Sequence, residues 1–110
     1  MLARLRLRRS LDFRAVYSAR RVRHGRLLAI HSRPNQLDHP RVGFSISKKV
    51  GGAVQRNLVK RRLRHLAMDR LRGSDRGLDL VVVVRPAAAG AAFAELESEF
   101  RALTDQVLGL

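Results

Sequence analysis

Residues 48–64 read KKVGGAVQRNLVKRRLR and gather all three lysines of the chain with four of its arginines. On a 3.6-residue helix Asn57, Lys60, Arg61 and Arg64 fall at i, i+3, i+4 and i+7, inside an arc of roughly 100°. Val59, Leu63, Leu66 and Ala67 occupy a separate apolar stripe, so one helix carries a core face and a cation face. The chemistry open to such a face is neutralisation of closely spaced phosphates, with the Asn57 amide as a neutral hydrogen-bonding partner among them. A solvated helix surface is the ordinary alternative for a charge run, but such surfaces mix glutamate with lysine so that i,i+4 pairs form. No acid occurs between Asp38 and Asp69. Uncompensated cations on one stripe repel one another, and a polyanion is what relieves them.

Other chemistry is thin. Histidines occur at 24, 31, 39 and 65, none paired at metal-ligand spacing on a helix, and there is no HExxH, no CxxC and no acidic cluster of the kind that holds Mg²⁺. Asp38 and His39 are adjacent, but loop Asp-His pairs mostly serve turns. Without cysteine there is no disulfide framework, thiolate zinc site or thiol nucleophile, which suits a reducing cytosol. Gly51 and Gly52 belong to no GxxxxGK[ST] or GxGxxG pattern and read as turn residues that let backbone approach phosphate. The chain is expected to bind, with no catalytic residue and no protein metal site of its own.

Composition points the same way. A chain of 110 residues has room for one domain, 1–110, with one modest core. Its net charge of +14 and pI near 11.9 make nucleic acid the default partner. No apolar stretch approaches the roughly 18 residues of a membrane span. The opening MLARLRLRRS lacks the apolar h-region of a secretory signal, and residues 1–9 read as a flexible basic arm.

These residues need elements to position them. Ser10 can cap a short helix with Phe13, Val16 and Tyr17 at i, i+3 and i+4, ending in the basic segment Arg20, Arg21 and Arg23 before Gly25. Residues 27–32 read as a strand, and RPNQLDHP as a loop. A second strand, 41–47, alternates Val42, Phe44 and Ile46 with Gly43, Ser45 and Ser47. After a glycine-containing basic turn at 48–52, the helix bearing the cation stripe is predicted over about 53–71, and GSDRG breaks it. Leu78–Arg85 is apolar enough for a central strand covered on both faces. A last helix carries Phe93, Leu96, Phe100, Leu103 and Val107 as its apolar stripe.

The order αββαβα, with an extra short strand possible, predicts a small single-domain α/β sandwich: a mixed sheet with helices packed on it, in which the strands flanking the basic helix run parallel. Gly43, Ser45 and Ser47 cannot cover a sheet face. If the first strand alternates in step, Ala29 and His31 share that face, leaving a shallow groove walled by Phe13 and Tyr17. Periodicity alone favours a core place for Phe13, while Tyr17 is more ambiguous because its hydroxyl needs water or a partner.

The run from Lys48 to Arg64 resembles the RNR signature of the protein subunit of bacterial ribonuclease P, KKxGxAVxRNxxKRxxR, at every specified position. Asp12-Phe13, Val16-Tyr17, Arg41-Val42-Gly43 with Ser45 and Ser47, and Asp79–Pro86 extend the resemblance over nearly the whole chain. The resemblance implies a cofactor protein for a catalytic RNA that removes the 5′ leader from precursor tRNA by hydrolysis with Mg²⁺ bound mainly by RNA. It implies a left-handed crossover between the parallel strands, against the general rule. It also implies that Lys48, Lys49, Arg56, Asn57, Lys60, Arg61 and Arg64 meet the RNA subunit or nearby phosphates, while Phe13, Tyr17, His31 and Ser45 line a leader cleft. The implied partners are the ribonuclease P RNA subunit and precursor tRNA, in the cytoplasm, with no membrane and no obligate protein partner. Two positions depart from the pattern: His65 stands where glutamate is frequent, and His31 where an aromatic is, although imidazole also stacks on a base. A ribosomal-type structural RNA-binding protein shares charge, size and fold class, and is separated by the contiguous motif beside a hydroxyl-lined strand. A helix-turn-helix DNA binder would need a helix at 41–52, where a strand and turn are predicted.

Overall fold

The computed structural model describes residues 3–109. Its elements are α1 (Ser10–Ser18), β1 (Arg21–His24), β2 (Leu28–Pro34), β3 (Arg41–Ile46), α2 (Ala53–Leu71), β4 (Leu78–Val84) and α3 (Phe93–Leu108), with a short 3₁₀ turn, Lys48–Val50, ahead of α2. The strands form one sheet in the order β1-β2-β4-β3; β1 and β2 pair antiparallel, as do β2 and β4, whereas β3 and β4 are parallel and joined through α2.

Strand β4 lies between β2 and β3, which is why residues 80–84 form an apolar run: Leu80, Val82 and Val84 face α2 and α3, and Val81 faces α1. The larger core lies on the first face, where α2 contributes Val59, Leu63, Leu66, Ala67 and Leu71, and α3 contributes Leu96, Phe100, Leu103 and Leu108. The apolar stripe read from α2 is thus buried as expected, and Gly73, at φ +80°, follows the helix in a conformation side chains resist. Phe93 differs from its expected place in the stripe of α3. It stays partly exposed, with the Arg62 guanidinium 4.8 Å from its ring centroid.

Strand β1 replaces the basic helix ending expected at 20–23. The chain leaves α1 and turns through Arg20 in the left-handed region, φ 56°, so no glycine or proline announces the boundary. Val22, between exposed Arg21 and Arg23, is the strand's only apolar side chain, so it carries almost no alternation.

The expected flexible arm is also corrected. Leu5 and Leu7 are buried, the Leu7 N–H donates to the Val42 carbonyl at 3.0 Å, and Arg6 bridges to Val42 in parallel sense. Residues 3–9 therefore lie along the outer edge of β3, anchored by two leucines while Arg4, Arg6, Arg8 and Arg9 remain exposed. The first two residues lie outside the described range.

Two acidic side chains fix the frame. Asp79, almost fully buried, accepts from Arg41 Nε at 2.8 Å and Nη2 at 2.7 Å and from Asn35 Nδ2 at 2.9 Å, tying the 35–40 loop to the start of β3 and β4. That bidentate bond holds the Arg41 guanidinium charged even more firmly than usual. Glu99 of α3 accepts backbone N–H groups of Arg26, Leu27 and Leu28 at 2.5, 2.7 and 2.8 Å, clamping the β1–β2 turn onto the helix.

Candidate nucleic-acid interface

The register sets side chains of the α1-facing sheet surface in two rows. One row runs Val22, His31, Val81, Gly43 across β1, β2, β4 and β3; the next runs His24, Ala29, Val83, Ser45. Helix α1 is laid along the first row. Tyr17 meets His31 edge to face, with ring centroids 4.9 Å apart at 77°; Val16 packs on Val81; Phe13 stands over Gly43. A Cβ at position 43 would collide with the Phe13 ring, so the glycine is what lets the aromatic approach the sheet. Phe13 is consequently half-buried against the small cluster of Leu7, Val16 and Val81, whereas Tyr17 keeps 38% of its surface exposed. The two aromatics thus divide the alternatives left open by their spacing: Phe13 is wall and core together, and Tyr17 is wall.

The second row forms the floor beside them, with Val83 and Ser45 partly exposed. His31 Nδ1 is buried without a hydrogen-bond partner. Burial, and secondarily the nearby His24, hold its imidazole below the usual value, so it is neutral at pH 7. Arg85 continues the phase of Val81 and Val83 at the end of β4. Its Nη2 lies 2.6 Å from His24 Nδ1, within hydrogen-bond distance, and its Nε is buried and unpartnered. Neither His24 nor Arg85 was among the expected site residues. The signal that would have found Arg85 is its period-two phase with Val81 and Val83; His24 was hidden with the unrecognised β1.

On the other side of β3, Asn57, Lys60, Arg61 and Arg64 share one face of α2, together bordering an open hollow of about 520 Å³ with Val54 and Leu58. Arg61 and Arg64 continue with His65 and Arg72 around a second hollow of about 450 Å³. Gly52 precedes the helix without a side-chain cap, so first-turn N–H groups add their partial positive charge to this end. Lys48 and Lys49 stand exposed on the turn before it. Arg56 is turned away from the stripe: its Nη1 lies 3.3 Å from the Gly51 carbonyl and braces the turn.

Cleft and stripe meet. A third hollow, about 360 Å³, is lined by Phe13 and Gly43 from the cleft, Lys60 and Arg64 from the stripe, and Arg6 and Arg8 from the docked N-terminal segment. Backbone groups of alternate residues point to the same edge of a strand, and the Val42 carbonyl points outward to Leu7. Phe44 and Ile46 therefore turn their N–H groups to the same outer edge, beside these cations. The result is a continuous surface with aromatic rings at one end, a helix of fixed cations at the other, and four cations at the passage between them.

Among the described residues no group of three His, Cys, Asp or Glu side chains is placed to hold a metal ion, and no helix is long and apolar enough to cross a membrane.

Comparison with known proteins gives one answer. A profile of the family described as Ribonuclease P matches residues 1–108. A ribonuclease P protein component of Acidothermus cellulolyticus is 43% identical over 97% of this chain and 88% of its own length, and one of Streptococcus pneumoniae is 35% identical over 88% and 79%. Among solved structures, the RNase P protein of Staphylococcus aureus superposes with a TM-score of 0.86 at 25% identity over 94% of each chain, and that of Thermotoga maritima with 0.78 at 26% over 89% and 93%. With the motif on α2, the mixed sheet and this match over nearly its whole length, the chain belongs to the ribonuclease P protein family, the protein components of an endoribonuclease ribonucleoprotein.

Proposed function

We propose that the two ends of this surface hold two RNAs at once. Asn57, Lys60, Arg61 and Arg64, flanked by Lys48 and Lys49, dock on the ribonuclease P RNA, with Arg56 acting from behind by bracing the turn. Phe13, Tyr17, His31 and Ser45 hold the single-stranded 5′ leader of precursor tRNA. The observation that carries this reading is the shared hollow: Phe13 and Lys60 border one space, so a strand leaving the cleft meets the face that grips the RNA subunit. Aromatic rings beside a small-residue floor suit unpaired bases, which stack without strong sequence preference. A rigid helix of cations suits phosphates of a folded RNA. The protein contributes position and charge; bond cleavage, with the Mg²⁺ it requires, belongs to the RNA, in the cytoplasm, without a membrane or an obligate protein partner.

The test is cleavage of precursor tRNA by the RNA subunit at limiting Mg²⁺, with and without the chain. The chain is expected to raise kcat/KM for a precursor with a leader of several nucleotides, and to cleave nothing when the RNA subunit is omitted. Leader removal by RNA-free protein that survives nuclease controls, or no enhancement with the RNA present, would overturn the reading.

A further inference from the structure

Val54 is the most exposed large apolar side chain among the described residues, with 84% of its surface accessible, and it sits on the most basic helix of the chain. A lone exposed valine needs no explanation. This one is not alone. Leu58, half-buried, follows one turn later on the same side, and both border the 520 Å³ hollow whose rim is Asn57, Lys60, Arg61 and Arg64. Neither residue belongs to the apolar face that α2 buries, which runs through Val59, Leu63, Leu66, Ala67 and Leu71.

Phosphates alone do not use such a hollow. A duplex backbone laid against the stripe would engage the three cations and leave Val54 and Leu58 wet. The occupant that satisfies the whole lining presents an apolar face, a hydrogen-bonding edge and negative charge within one unit. An unstacked nucleotide has all three: its base face suits Val54 and Leu58, its edge suits the Asn57 amide, and its flanking phosphates suit Lys60 and Arg61. At 1.5 Å rise per residue, Val54 and Leu58 are about 6 Å apart along the helix axis, a platform on the scale of one base.

We infer that the Val54–Leu58 hollow seats one unpaired, outward-turned base of the ribonuclease P RNA, so that α2 selects a particular bulge or junction as well as a density of phosphate. The inference rests on the reading of α2 as the RNA-subunit face and adds to it a specific, uncharged contact. It predicts that part of the affinity survives salt, because apolar burial and an amide–base hydrogen bond release no counterions.

The experiment compares the wild type with Val54→Ser, Val54→Met and Arg64→Ala, each as the full chain, against ribonuclease P RNA transcribed from the same genome. Val54 touches no core, so thermal unfolding is expected to be unchanged in both of its variants. Val54→Ser is expected to weaken RNA binding roughly five- to tenfold with the slope of log affinity against log salt unaltered, while Val54→Met retains wild-type affinity. In chemical probing with reagents that cover all four bases, one unpaired base protected by the wild type should become reactive with Val54→Ser, with hydroxyl-radical protection of the backbone preserved. Unchanged affinity and unchanged base reactivity in Val54→Ser would overturn the inference even if Arg64→Ala weakens binding, leaving α2 as a phosphate-only face. Val54→Ser losing a protein contact instead, with RNA binding intact, would overturn it too. If Arg64→Ala also leaves affinity and salt slope untouched, the RNA-face reading itself fails, a different result from failure of the base seat alone.

Discussion

The cleft and the stripe are built by opposite means. The stripe is the property of one helix: four residues spaced i, i+3, i+4 and i+7 share a face wherever an α-helix forms, and backbone hydrogen bonds alone fix their spacing. The cleft exists only when β2, β4 and β3 are in register and α1 lies across them, so that Tyr17 meets His31 and Phe13 meets Gly43. Charges on a rigid helix act at a distance and in rough proportion to their number. Stacking surfaces act by contact, and a misplaced ring contributes nothing. The stripe should therefore be graded and salt-sensitive, whereas the cleft should be cooperative, tied to folding at one end and nearly indifferent to salt.

Phe13 is where that contrast breaks most sharply, since it is wall and core at once. Phe13→Ala is expected to cost about 3 kcal/mol of stability, toward the lower end for a truncated phenylalanine because the ring is only half-buried. It should also reduce affinity of the assembled ribonucleoprotein for long-leader precursor. Denaturant unfolding together with precursor binding reads both; a variant as stable as wild type would show that the Phe13–Gly43 contact does not hold α1 in place.

Tyr17 separates recognition from folding. Tyr17→Ala should weaken binding of long-leader precursor by about 1 to 3 kcal/mol, with mature tRNA unaffected and stability lowered by no more than about 1 kcal/mol from loss of the edge-to-face pair. Equal weakening for both RNAs, with a large drop in unfolding midpoint, would make Tyr17 a core residue and remove the cleft's outer wall.

Arg64 tests the other end. Arg64→Ala should weaken RNA-subunit binding and flatten the plot of log affinity against log salt by roughly 0.7 to 1 unit, with folding intact because the side chain borders three open hollows and joins no buried ion pair among the described residues. Asn57→Ala is expected to lower activity with less change in slope. A slope unaltered by Arg64→Ala would return the stripe to an ordinary solvated surface.

The difference in construction also decides what could be read from the chain. The extent of α2 was legible because its apolar stripe, its cation stripe and the glycines on either side agree, and residues 53–71 are helical as expected. The alternation of β3 assigned its two faces, and the apolar run at 80–84 marked β4 as a central strand covered on both. Arg20 hid the start of β1, because an arginine in the left-handed region gives no turn signal. Leu5 and Leu7 were read with the arginines around them as a mobile arm, since two leucines spaced by one residue mean nothing until β3 offers an edge with an unpaired Val42 carbonyl. The contact between His24 and Arg85, 61 residues apart, is set by a sheet order that local pattern does not encode.

His31 gives the smallest and most specific test, because it is the cleft's one titratable floor residue that is partly withdrawn from water. Its pKa is held below the ordinary imidazole value by burial and then by His24, so the unfolded chain binds a proton more readily than the folded one. Stability must then fall as pH drops below about 6.5 toward the folded value, and be insensitive to this group above that window. The titratable and charged neighbours on this face are His24 and Arg85, with Tyr17 above, and none is an acid that would reverse the sign. His31→Phe removes the group while keeping a ring for Tyr17 and for a leader base. Measured as unfolding midpoints at pH 7.5 and 5.5, the variant should gain on wild type at the lower pH. At pH 7.5 the salt slope for long-leader binding should be the same in variant and wild type, since neutral His31 releases no counterion. A stability difference independent of pH would mean that water reaches the imidazole freely, and the floor of the cleft would be wetter than the unpartnered Nδ1 implies.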